Sequence, residues 1–540
     1  MNKTQIFHLQ NGLIIDGSGL KKKFKGDLYI KNGKIIPTPT PDTNYKRNKK
    51  ITTIDCKGKI IAPGFIDIHT HSDEGLFHDR YLYSSVTQGV TTEIVGNCGW
   101  GFVPPSKKSL IGYTLRTTKE FGFTWSNYKE YKEKILLPGV SLNLGLLVGH
   151  NNLRSVVLGK DKTSASSKDI KKMCDILANC FNDGAIGIST GLAYYSSQFS
   201  TTNELIQLAK VCKKHNKIFT FHMRDEGVGL CDSISEVINI AKITKCRVQI
   251  SHFKTSGRAS WPLIDQAFKL IRNARNKGIK IHADRYPYLS GVTGLLRDVP
   301  YHYYKEGFDH FLEKITCDYK FRLQIQQEMN VGNETNYFKK IICADFRERE
   351  YHHYRGLSLY EIAKKRFTST KNILSICNIW NLFWELVIKN RADVLCFFFT
   401  MCEKNLKKIL KEDYVSIGSD KGLSTLQGAP SFQLPHPRYY GTYPRFLGRY
   451  IGKHKLLSLE EGIYKCSGLP AKIFNIKKRG ILKKGNFADV VVFDPKKFID
   501  QATYKNPKRY TTGVEYLFVN GEMVIDQGKH SGELPGVILG

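Results

Sequence analysis

The chain has 540 residues, enough for one large domain with a smaller unit beside it. Apolar residues make up 41% of it, so a sizeable core can be buried. Lys and Arg number 82 against 49 Asp and Glu, a formal charge of +33, but the lysines run from Lys3 to Lys529 without a long basic tract, which argues against a nucleic-acid footprint.

The opening residues lack the basic-then-apolar order of a secretory signal. Residues 5–60 alternate in short strands broken at Asn11-Gly12 and Asn32-Gly33. Eight apolar or β-branched runs then recur, at 60–71, 91–98, 142–150, 185–191, 218–222, 246–252, 279–288 and 415–420, each ending in polar residues. Stretches of helical period separate several of them. In 169–181, Ile170, Met173, Cys174, Leu177, Cys180 and Phe181 share one face, and Gly184 follows as a stop. The stretches 205–214, 234–242 and 263–276 read the same way. Strands alternating with helices make right-handed βαβ units and a parallel sheet. Eight strands suit a closed (β/α)8 TIM-type barrel of the α/β class, while the pattern alone also admits an open doubly wound sheet.

Residues 289–412 read as an insertion before the last strand, mixed and partly helical. Its most apolar stretch, 379–401, is broken by Lys389, Asn390, Arg391 and Asp393, too polar for a membrane span. Residues 480–527 return to short strands, with a turn at Asn520-Gly521. The expected organisation is a barrel over 62–475 and one small β-sandwich domain assembled from 1–61 and 476–540. Thirteen cysteines at irregular spacing, without a CxxC pair, make neither a disulfide framework nor a zinc ribbon. A reduced, cytoplasmic protein with no membrane or nucleic-acid partner is the expectation.

Polar residues gather where the runs end. His71, Cys98, His150, His222, His252 and Asp420 all fall at or just past a predicted strand C-terminus, the face of such a barrel that carries active sites. His69-Thr70-His71 puts two imidazoles at i and i+2, on one face of a strand, where both can reach one metal. Two solvated histidines would look identical, so the neighbourhood decides. The string Ala62-Pro63-Gly64-Phe65-Ile66-Asp67-Ile68-His69-Thr70-His71 resembles the opening strand of the amidohydrolase superfamily. That resemblance implies one further His on each of strands five and six and an Asp on strand eight, places that His222, His252 and Asp420 occupy.

A finer similarity, to the D-aminoacylases (N-acyl-D-amino-acid deacylases), runs through most of the chain. It is carried by Gly89-Val90-Thr91-Thr92, Gly96-Asn97-Cys98-Gly99, Gly149-His150 with Arg154, Thr190-Gly191-Leu192-Ala193-Tyr194, and Phe221-His222-Met223-Arg224-Asp225-Glu226. Ser251-His252-Phe253-Lys254, Tyr286-Pro287-Tyr288, Gly418-Ser419-Asp420 and His436-Pro437-Arg438 continue it. The resemblance implies that Cys98 replaces the metal-bridging carboxylated Lys of other amidohydrolases, and 185–191 indeed holds no Lys. Cys98, His222 and His252 would then form a tight zinc site, and His69, His71 and Asp420 a second, weaker one. Asp420 would move the proton. Arg438, Lys254 and Tyr194 would grip the substrate carboxylate, and His150 and Tyr288 would either touch the acyl group or orient loops. The implied reaction converts an N-acyl-D-amino acid into a carboxylic acid and a free D-amino acid. Two alternatives remain at this point: another amidohydrolase acting on a cyclic amide or a dipeptide, and a basic, non-catalytic binding protein.

Overall fold

The computed structural model describes residues 5–38, 51–105, 125–137, 139–159, 164–329, 335–367, 374–422 and 434–540. Its central strands are buried on both faces almost throughout, as in a parallel sheet sheathed by helices. Eight of them, Phe65–Asp67, Val90–Val95, Asn143–Gly149, Gly187–Gly191, Ile218–His222, Arg247–Ile250, Ile281–Arg285 and Val415–Ile417, pair in parallel in that order. The seam between the first and eighth closes just beyond the strand ends. There the Asp420 N–H donates to the His69 carbonyl at 2.8 Å, and Lys421-Gly422 pairs in parallel with Thr70-His71. The α/β barrel anticipated from the alternating pattern is the fold.

The sheath follows from helical periodicity and good caps. Ser167–Asn182 starts at a capping box of Ser166 and Asp169 and buries Ile170, Met173, Leu177, Cys180 and Phe181 against the strands. Gly184, at φ +112°, turns the chain into the fourth strand. Thr201 caps Thr202–Lys214 by accepting the Glu204 N–H.

The two end segments meet in one nine-stranded sheet, in which Ile60–Pro63 runs antiparallel to Val490–Phe493. It has a core of its own, including Leu9, Ile30, Cys56, Ile61 and Phe518. Residues 39–50, part of the segment read as alternating strands, lie outside the described residues.

Between the seventh and eighth strands the chain builds a three-stranded antiparallel sheet, Gly291–Gly294, Ile341–Phe346 and Val394–Phe398, backed by helices. The apolar stretch that stands out in the sequence becomes the helix Ile376–Lys389 and the strand Val394–Phe398, both buried in this unit's separate core. Among the described residues no helix is long and apolar enough to cross a membrane. The helix Glu403–Lys411, read from sequence as part of the insertion, packs Leu406, Ile409 and Leu410 into the barrel core instead. Its amphipathic face is that of an ordinary barrel helix. Because the insertion has its own core, Phe383→Ala, at a fully buried position between Trp380 and Trp384, should cost that unit about 3–5 kcal/mol. Calorimetry with tryptophan fluorescence should show its transition shifting down while the barrel transition stays in place.

Candidate metal centre

Three of the donor positions sit in sharp turns at the strand ends. Cys98, His252 and Asp420 have left-handed backbones, with φ of 54°, 38° and 53°. For non-glycine residues this costs about 1–3 kcal/mol each and persists where the surroundings over-determine it. At Cys98 those surroundings are visible. A Cβ at Gly96 would lie 2.6 Å from the Leu147 carbonyl oxygen, and one at Gly99 would lie 2.7 Å from the Gly191 nitrogen, so only glycine fits on either side. Ser189 Oγ clamps the turn, accepting the Gly99 N–H at 2.9 Å and donating to the Gly96 carbonyl at 2.5 Å.

The result is two interlocked donor sets. His69, His71, Cys98 and Asp420 form one, and Cys98, His222 and His252 the other, with the ligand atoms of each within 4.8 Å of one another. Cys98 Sγ lies 3.3 Å from His69 Nε2 and 3.5 Å from His252 Nε2, and His252 Nε2 lies 2.9 Å from His222 Nδ1. Asp420 Oδ1 is 3.4 Å from His69 Nε2 and 3.3 Å from His71 Nε2. Lone-pair donors buried this close together suit metal cations, and a thiol with imidazoles is a set that favours zinc. Burial would raise the Cys98 thiol, but the neighbouring charges of His69 and His252 hold it well below its usual value, so it presents a thiolate.

Two carboxylates that the sequence reading left without a role orient these imidazoles from behind. Asp284 Oδ1 accepts from His69 Nδ1 at 3.1 Å and from the His252 backbone N–H at 3.0 Å, while its other oxygen takes the Gln249 amide at 2.7 Å. Glu226 Oε1 lies 2.8 Å from His252 Nδ1. Such partners fix the tautomer, leaving Nε2 free as a ligand.

Arg438 closes the far side. Its Nη1 is 2.8 Å from Asp420 Oδ2, its Nε has no hydrogen-bond partner, and its guanidinium lies 4.8 Å from the centre of the Tyr286 ring. Burial would push the Asp420 carboxyl up, but Arg438 and His69 hold it well below the usual carboxylate range. The Arg438 backbone is itself fixed by His436, whose Nδ1 accepts its N–H at 3.0 Å and whose Nε2 pairs with Ser290 Oγ at 2.8 Å. Tyr194 covers the other end of the cluster, its ring centre 4.7 Å from that of His222.

Lys254, Tyr288 and His150 each have partners within the protein. Lys254 directs its ammonium to Glu226 Oε1 at 2.5 Å and to the His252 carbonyl at 3.0 Å, so it balances a buried acid beside a metal-site histidine. Tyr288 points away from the donors and donates to the Pro437 carbonyl at 3.3 Å; Tyr286, two residues earlier, is the ring beside Arg438. His150 begins the helix His150–Leu158, with both ring nitrogens taken by Thr190 Oγ1 at 2.8 Å and Glu204 Oε1 at 2.9 Å. Glu204 is also held by Arg154. His150 therefore sits in a buried hydrogen-bond network. A cavity of about 1450 Å³ lies between Leu192, Ala193 and Ser256 on the barrel and Arg297, Tyr301 and Phe398 on the insertion.

The amidohydrolase family model matches residues 52–289 and 415–525, leaving out the insertion. D-aminoacylase and N-acyl-D-glutamate deacylase, both of Alcaligenes xylosoxydans xylosoxydans, are each 29% identical over 98% of this chain and 96% of their own lengths. The crystal structure of N-acyl-D-glutamate deacylase from Bordetella bronchiseptica, complexed with zinc and a phosphonate mimic of the tetrahedral intermediate, superposes with a TM-score of 0.81 at 27% identity, covering all of both chains. A D-aminoacylase described with a binuclear metal centre gives 0.80 at 26% over 99% of each chain.

Since Cys98 belongs to both donor sets, its removal should empty both. Cys98→Ala should carry far less than one equivalent of metal by elemental analysis after overnight dialysis. A variant that kept its full complement would show that the thiol is not a ligand.

Proposed function

The chain belongs to the amidohydrolase family, and on that premise we propose that it hydrolyses the amide bond of N-acyl-D-amino acids, releasing a carboxylic acid and a free D-amino acid. The observation that carries this reading is the placement of Arg438, a buried guanidinium with an unpartnered Nε, directly against the carboxylate that completes the donor cluster. The two relatives that share nearly the whole chain are named for deacylation of D-amino acids.

Cys98, His222 and His252 would hold one zinc, and His69, His71 and Asp420, with the Cys98 thiolate shared, a second. Zinc supplies a Lewis acid that activates water and polarises the acyl carbonyl. The remaining work falls to the chain itself. Asp420, kept ionised beside Arg438, takes the proton of the attacking water and delivers it to the nitrogen of the leaving amine. The open edge of Arg438 pairs with the substrate carboxylate in a planar fork, stacked on Tyr286. Fixing the carboxylate there and the carbonyl at the donor cluster leaves the α-substituent one direction, which is the basis for choosing one enantiomer. Tyr194 shields the His222 end from bulk water. A cytoplasmic location accords with thirteen free cysteines.

Matched N-acetyl-D and N-acetyl-L amino acids offered to the zinc-loaded protein test the reading, with a strong preference for the D series expected. Equal rates on the two would sink the substrate assignment while sparing the metal centre. Asp420→Asn keeps the shape and cannot accept the proton, so kcat should drop roughly 10²–10⁴-fold with KM little changed and the zinc held by Cys98, His222 and His252 retained. A folded, zinc-loaded Asp420→Asn protein with near-native kcat would rule out this proton path. Arg438→Lys removes the fork and loosens the grip on Asp420 together, so KM should rise and kcat fall. A change in thermal stability alone would make Arg438 a fold residue.

A further inference from the structure

Glu93 and Lys421 have no part in the proposed reaction, yet they form an almost wholly buried ion pair. Lys421 Nζ lies 3.0 Å from Glu93 Oε1, with the two side chains 1% and 0% exposed. Lys421 Nζ also donates to Ser72 Oγ at 3.0 Å, Ser85 Oγ donates to Glu93 Oε1 at 2.5 Å, and Thr70 Oγ1, 3.1 Å from the Ile94 carbonyl, lies 3.3 Å from Glu93 Oε2. The points of attachment form a pattern. Thr70 stands between His69 and His71, Ser72 follows His71, and Lys421 follows Asp420. One buried network thus grips the chain neighbours of three donors, while Ser189 holds the Cys98 turn and Glu226 holds His252; Asp284, on both His69 and His252, links the two sides.

Those three donors come from the barrel seam, the weakest joint in the sheet. Other neighbouring barrel strands share ladders of three to five residue pairs, but the seam has two, Lys421 with Thr70 and Gly422 with His71. A short ladder followed by a left-handed turn at Asp420 leaves the distance between that carboxylate and the two imidazoles under-determined by backbone alone. A second buried acid, Asp67, accepts the Ser419 and His69 N–H groups at 3.0 and 3.2 Å and so ties the same seam from the first strand.

We infer that the Glu93–Lys421 pair is a positioning device that sets the geometry, and through it the metal affinity, of the His69–His71–Asp420 half of the centre more than that of the Cys98–His222–His252 half. This rests on the reading of both donor sets as zinc ligands. The pair holds because two opposite charges in a low-dielectric interior, each with further hydrogen bonds, have one well-defined separation. Removing either partner alone leaves an uncompensated buried charge and would confuse positioning with unfolding. Replacing both by apolar side chains of similar size is close to neutral for stability and separates the two effects.

The test is therefore the double variant Glu93→Leu/Lys421→Met, with Lys421→Arg beside it as the variant that keeps charge but changes reach. Stepwise zinc affinities are measured by competition with a chromophoric chelator, together with melting temperature and steady-state kinetics. The double variant should melt close to the native protein and bind its first zinc with native affinity. Its second zinc should be held at least tenfold more weakly, with kcat lowered and KM little changed. Native affinity for both zinc ions in a stable double variant would overturn the proposal, as would equal weakening of both. Should the double variant not fold, Lys421→Arg decides, since selective loss of the second zinc supports the inference and unchanged binding refutes it. A native protein that takes up fewer than two zinc ions would refute the two-site reading first, and the pair's assignment with it.

Discussion

Six lone-pair donors converge at the mouth of the barrel, and the Cys98 thiolate is common to both groups into which they fall. Bringing them together means burying groups that prefer water and holding like atoms close, an arrangement that a folded chain does not reach by default. The consequences run outward from this point. Three donors sit in left-handed turns, glycines flank Cys98 where a Cβ would strike neighbouring backbone, and acids stand behind two of the imidazoles. Each of these features is unfavourable or unhelpful alone and makes sense only as support for the cluster.

Charge balance explains the second ring of residues. Glu226 has Lys254, Asp420 has Arg438 and Glu93 has Lys421, all largely shielded from water and all within hydrogen-bonding distance. Lone buried charges would be costly, and pairing lets carboxylates remain ionised beside imidazoles whose orientation they fix. The His150–Glu204–Arg154 network shows the same solution where no metal donor is involved, which is why burial of a histidine at a strand end is a poor guide to chemistry by itself.

The barrel was legible in the alternation of apolar runs and amphipathic helices, and the six donors in the polar residues that end those runs. What the sequence did not show has physical reasons. Asp284 occupies a strand end like its neighbours, but its role depends on a contact with His69, 215 residues away in the chain. Tyr286 and Tyr288 are equivalent by strand parity, yet the strand stops at Arg285 and Pro287 breaks the alternation, so only one of them faces Arg438. The strand before His150 ends one residue earlier than the apolar run suggests, and His150 opens a helix with its imidazole held by Thr190 and Glu204. Lys254 carries the right charge for a carboxylate clamp, but its partner is set by Glu226, which a linear reading cannot place.

The insertion begins and ends at one spot, since Gly291, on its first strand, pairs directly with Phe398, on its last. A unit whose two chain ends meet and whose core is separate can be exchanged without pulling on what it is spliced into. Its Arg297, Tyr301 and Phe398 wall the large cavity but contribute no donor. Exchange of this module would thus redraw the wall of that cavity while leaving the six donors in the chain, so the shape of the one and the make-up of the other can diverge at different paces.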